Sequence, residues 1–177
     1  MGFLDFLKAP RDESEPGSGA VRRIASELAA LPAEQARHVA AFAYLLGRVA
    51  HADRDISAAE SDRMAELVRD TGGLSGDQAE LVVEIAKAQN RLFGHVENFL
   101  AARDFREVAS DDQRHRLLDC LFAVSAADDE ISSEEESQVR QIASELGFSH
   151  SEYVAARSAW SQHRSVLSGL RRDGAPG

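Results

Sequence analysis

Two short acidic stretches hold the residues in this chain best suited to chemistry. Val49-Ala50-His51-Ala52-Asp53-Arg54-Asp55-Ile56-Ser57-Ala58-Ala59-Glu60 and Val124-Ser125-Ala126-Ala127-Asp128-Asp129-Glu130-Ile131-Ser132-Ser133-Glu134-Glu135 lie 75 residues apart. They share Val, Ala, Asp, Ile, Ser and Glu at equivalent places, and both read Asp-x-Asp/Glu-Ile-Ser-x-x-Glu. Carboxylates are hard oxygen ligands, suited to Ca²⁺ or Mg²⁺. Helical periodicity before each stretch sets Asp53 and Asp128 at the negative end of a helix dipole, where a carboxylate costs ~0.3–1 kcal/mol. Around the second stretch Asp128, Asp129, Glu130, Glu134, Glu135 and Glu136 crowd and repel one another. A bound cation would relieve both penalties, with helix-end carbonyls as further ligands. The spacing is not that of an EF-hand. Counted from Asp53 or Asp128, the Gly position holds Ala58 or Ser133, and the final Glu position holds Met64 or Val139.

The same residues also have a reading that needs no ligand. Ser57-x-x-Glu60 and Ser132-x-x-Glu135 have the form of capping boxes, in which Ser accepts from one orphan backbone N–H and Glu from another. Ser75-x-x-Gln78 and Ser149-x-x-Glu152 repeat the device. Ile56 and Ile131 are expected to insert into the core and pin the turns.

The elements that position these stretches are helices. Val39, Phe42, Ala43, Leu46, Val49 and Ala50 mark one helical face, and Val139, Ile142, Ala143 and Leu146 another. Gly147 then stands where a left-handed C-terminal cap belongs. A shorter helix is expected from Ala20 to Leu31, before Pro32. No stretch alternates like a strand, so the class is all-α. Beyond the acidic stretches the correspondence resumes one residue out of step, Gly73 to Gln78 lying over Gly147 to Glu152. Each copy therefore reads as helix, acidic turn, helix, Gly-apolar-Ser turn, helix. Repeat one is placed at about 36–92 and repeat two at about 111–165, with a connecting helix over about 94–105. The two should pack as a pseudo-twofold bundle with the Phe42–Val49 and Leu117–Val124 helices near its centre. Residues 20–170 form the helical domain, residues 1–19 a flexible segment with an apolar tip, and residues 171–177 a disordered tail.

The pattern Ala-x-Ala-Asp-x-Asp/Glu-Ile-Ser-x-x-Glu, followed in the second copy by Glu-Leu-Gly-Phe-Ser-His-Ser-Glu-Tyr, resembles the TerB-like family of tellurite-resistance-associated bacterial proteins. The resemblance implies a small cytoplasmic helical protein with internal twofold symmetry, belonging to a stress-response system at the inner membrane. It implies suspected metal ligands at Asp53, Asp55 and Glu60, and at Asp128, Glu130 and Glu135. The chain departs from the family where Gly usually stands in the turn, having Arg54 in one copy and Asp129 in the other.

Thirty acids against twenty bases give a net charge of −10, which disfavours nucleic acid as a partner and favours cations or basic protein surfaces. Cys120 is the single cysteine, and its repeat counterpart Leu45 gives it a core position. The six histidines show no metal-type pairing; His51 lies close to Asp53, but its counterpart is Ala126. No nucleophile elbow, phosphate loop or dinucleotide fingerprint occurs. Nothing approaches the ~20 apolar residues that cross a membrane. Asp5 interrupts the apolar start, so no signal peptide is expected, and Phe6 stands where myristoylation wants Ser or Thr. The tip Phe3, Leu4, Phe6 and Leu7, tethered by the Pro10–Gly19 linker, suits a peripheral membrane face or, better given its charge, a protein partner's groove; the other reading is that it packs back on its own domain or stays disordered.

These features point to a non-enzymatic cytoplasmic module that binds a divalent cation, a protein partner, or both. The alternatives are a metal-dependent hydrolase using helical carboxylates and a structural scaffold with no ion.

Overall fold

The computed structural model of the protein describes residues 4–5, 18–50, 56–89, 92, 98–127 and 131–173, with the side chains of 18 and 162–173 left aside. Eight helices lie wholly among them: α1 (Ser18–Ala29), α2 (Ala33–Ala50), α3 (Ala58–Gly72), α4 (Gly76–Lys87), α5 (Asn98–Val108), α6 (Asp111–Ser125), α7 (Ser133–Glu145) and α8 (His150–Asp173). No strand occurs among the described residues, and the class is all-α as expected.

The sequence marks one apolar face on α2, yet the structure buries this helix nearly all round. Ala40, Ala41, Tyr44, Leu45, Gly47 and Arg48 are buried along with Val39, Phe42, Leu46 and Val49. Small side chains make this feasible, because they let neighbouring helices approach from several directions. Helices α1, α4, α5, α6 and α7 all pack against α2. Helix α3 bridges α4 and α6, and α6 in turn carries α7 and α8. Leu117, Leu118 and Leu121 are fully buried on α6, so the two helices expected at the centre do lie in the core.

Phe42 of α2 and Phe105 of α5 meet edge to face with ring centroids 6.1 Å apart. His38 stacks beside Phe105 at 4.9 Å. Burial holds its imidazole below the usual histidine range. Helix α3 comes close because it presents Gly72 here: a Cβ at that position would sit 2.9 Å from the Phe42 ring.

Helix ends follow the local chemistry. Gly147 adopts φ 87° and completes a Schellman motif, the Phe148 N–H donating to Ala143 O and the Gly147 N–H to Ser144 O, both at 3.0 Å. Gly73 ends α3 at φ 71°.

Four boundaries differ from those read in the sequence. Helix α1 begins at Ser18 rather than Ala20, inside the stretch read as a flexible segment. Helix α1 ends at Ala29 rather than Leu31, since the residue before Pro32 is biased away from helical geometry. Helix α5 runs on to Val108 rather than stopping at Phe105. The expected start of that helix, at Gly94, lies outside the described residues. Helix α8 continues through Asp173, past 165 and into the stretch expected to be a loose tail; it carries Gly169, but no proline interrupts it. Residues 174–177 lie outside the described residues.

Candidate acidic-turn site

Of the six carboxylates singled out as ligands, Glu60 and Glu135 are described; Asp53, Asp55, Asp128 and Glu130 lie outside the described residues, as do His51, Arg54 and Asp129. Both described carboxylates are third in their helices and are fixed by reciprocal caps. Ser57 N–H donates to Glu60 Oε2 at 2.6 Å, and Glu60 N–H to Ser57 Oγ at 3.3 Å. The Ser132 and Glu135 pair repeats this at 2.9 and 3.2 Å. Each glutamate is therefore set on the first turn of the helix that leaves its acidic stretch. Ile56 and Ile131, one residue before each cap, pack against the core but stay half-buried rather than inserting into it.

The other two expected boxes, Ser75 with Gln78 and Ser149 with Glu152, are present, and Ser149 holds the Glu152 carboxyl below its usual range. A fifth, Ser110 with Gln113, opens α6. Its Ser-x-x-Gln signature has the same three-residue spacing as the other four. Ser57→Ala and Ser132→Ala should each lower stability by about 1 kcal/mol, measurable by urea denaturation.

The crowding of acids at the second stretch is partly offset within the fold. Glu134, Glu135 and Glu136 occupy the first turn of α7, at the favourable end of its dipole. Glu134 accepts from Ser133 Oγ at 3.1 Å, and Glu136 pairs with Arg157 at 2.9 Å and Arg140 at 3.5 Å. Upstream, α6 tightens in its last turn, Ala127 N–H donating to Val124 O at 3.2 Å, immediately before Asp128. A cation at these stretches would be met by hard carboxylate oxygens, a donor set that suits Ca²⁺ or Mg²⁺ and not soft metals. Among the described residues, no group of three or more His, Cys, Asp or Glu side chains is placed to hold a metal ion.

Sequence reasoning missed a buried polar cluster beside the end of α2. Arg48 makes a two-pronged contact with Glu145 of α7, Nη1 to Oε2 at 2.6 Å and Nη2 to Oε1 at 3.3 Å. Nη2 also reaches Gln138 Oε1 at 3.3 Å. One turn earlier, Tyr44 Oη donates to Asn98 Oδ1 at 2.8 Å. Burial raises the Tyr44 hydroxyl above its usual range, and the Arg48 guanidinium opposes that rise. Arg48 follows two leucines and a glycine in a helix read by its apolar face, so nothing in its spacing announced an ion pair.

Cys120 is fully buried, as its repeat counterpart implied, and burial pushes its thiol up to about 12 with Asp119 adding to the rise. A thiol so held is neither a nucleophile nor a metal ligand near neutral pH. No helix among the described residues is long and apolar enough to cross a membrane.

The family model described as tellurite resistance protein TerB matches residues 38–158. Neither a curated protein nor a solved structure matches the chain significantly. The matched span takes in both acidic stretches, all five capping boxes and the buried Arg48–Glu145 pair, and leaves out the N-terminal tip and α1. This chain belongs to the TerB family.

Proposed function

We propose that this protein is a non-enzymatic cytoplasmic module of a tellurite-resistance-type stress system, whose two acidic turns bind a divalent cation, a basic partner protein, or both. The observation that carries the reading is the placement of Glu60 and Glu135. Each is oriented by a reciprocal cap on the first turn of the helix that follows an acidic stretch. Asp53, Asp55 and Glu60 would serve one ion, and Asp128, Glu130 and Glu135 the other, as hard oxygen ligands of Ca²⁺ or Mg²⁺ type. A motif present twice suits two equivalent binding sites better than the single asymmetric pocket of a hydrolase. A net charge of −10 supports a basic surface on any protein partner.

A second reading, in which the turns are only helix caps, draws support from the internal partners of Glu134, Glu135 and Glu136. Calorimetric and thermal titration of chelator-stripped protein with Ca²⁺, Mg²⁺, Mn²⁺ and Zn²⁺ separates the two. Saturable binding is expected, with about 2.7 kcal/mol of stabilisation at a hundredfold excess over Kd. Asp53→Ala/Asp128→Ala should abolish it. A flat titration, with that variant as stable as wild type, leaves the capping reading in place.

A further inference from the structure

We propose that the cleft between α1, α2 and α5 is a receptor groove for a short apolar segment, and that the chain's own N-terminal tip is its occupant. This inference stands apart from the acidic turns.

The floor of the cleft is apolar, built by Leu28 of α1, Leu31 of the following turn and Ala36 of α2. Ala29 and Ala33 form exposed parts of its wall. Leu4 lies in this cleft and packs against the core, with Asp5 beside it. At the polar end Arg37 is held by Asp104 at 3.2 Å and by Glu107 at 2.6 Å. Arg37 and Asp5 thus border the same cavity with opposite charges.

Leu4 does not fill the space. A cavity of about 470 Å³ remains beside it, within the range that accepts sizeable apolar groups. The tip is rich in such groups: Phe3, Phe6 and Leu7 flank Leu4 and Asp5 in sequence. The residues from Phe6 to Gly17 separate Asp5 from α1 in the sequence. A chain of that length can reach up to about 40 Å, enough to seat the tip in its own groove. Occupation in cis is favoured because a short tether holds the tip at a local concentration on the order of millimolar. The tip and α1 precede residues 38–158 while Asp104 of α5 lies within them, so the groove joins residues on both sides of the start of the matched span. While the tip is seated, the groove is closed to any other apolar segment.

The test uses full-length protein and a fluorescent synthetic peptide of residues 1–9, followed by anisotropy. Leu4→Asp releases the resident tip, and it should bind the peptide about tenfold more tightly than wild type does. Leu4→Met, which keeps an apolar side chain, should behave as wild type. Adding Ala29→Lys to Leu4→Asp places a charge on the wall of the groove at an exposed helix end and should return binding to background. Peptide binding no tighter to Leu4→Asp than to wild type overturns the proposal. So does a wild-type dimer in sedimentation that Leu4→Asp dissolves, since the tip would then occupy the groove of a second copy.

Discussion

Glu145→Ala should destabilise the protein by roughly 3–5 kcal/mol, because it strands a guanidinium that has almost no access to water. The Arg48 side chain is 4% exposed and that of Glu145 18%. Among the described residues, removing the carboxylate leaves Arg48 with the 3.3 Å contact to Gln138. Arg48→Ala should cost less, because Glu145 reaches solvent and still accepts from Gln141 Nε2 at 3.0 Å. The double variant Arg48→Met/Glu145→Met removes both charges and should return to within about 1 kcal/mol of wild type. Urea denaturation followed by the fluorescence of Trp160, the single tryptophan, reads all three variants. A double variant as unstable as Glu145→Ala would show that the pair acts through something other than mutual neutralisation. The pair also matters for position: it ties the last turn of α2, just before the first acidic stretch, to α7, the helix that leaves the second.

Phe42→Ala should cost about 3–5 kcal/mol, and for a chain of this size the melting temperature should fall by roughly 10 °C. The ring is fully buried where α2, α3 and α5 converge. Gly72 on α3 closes tightly over it, so neither helix can easily collapse into the space left behind. Phe42→Leu keeps most of the volume and should lose less than half as much. A loss under 1 kcal/mol for Phe42→Ala would mean that α3 relaxes into the cavity, and would be visible as faster hydrogen exchange in that helix.

The outcome of these experiments separates two kinds of information. Features fixed by local chemistry were legible in the sequence: the all-α class, four capping boxes, the left-handed Gly147 and the buried Cys120. A cap depends on residues three apart, and a helical face on residues three and four apart, so the order of side chains is enough to reveal them. The motifs that the chain shares with the TerB family are local in the same way. For the candidate site, the same locality placed Glu60 and Glu135 on their helices.

What the tertiary structure decided was everything that depends on which faces meet. The sequence shows one apolar face on α2, but five of the described helices pack against it, which follows from packing among small residues rather than from periodicity. Arg48 and Glu145 are 97 residues apart, and only the crossing of α2 with α7 makes them partners. Arg157 reaches Glu136 because α8 packs on α7, and so part of the charge crowding that suggested an ion is met by the fold itself. Leu4 likewise finds its groove only once α1 has folded back against α2. Short-range hydrogen-bonding chemistry is written in adjacent residues, whereas burial and charge neutralisation are settled by segments far apart in the chain that the folded core brings together.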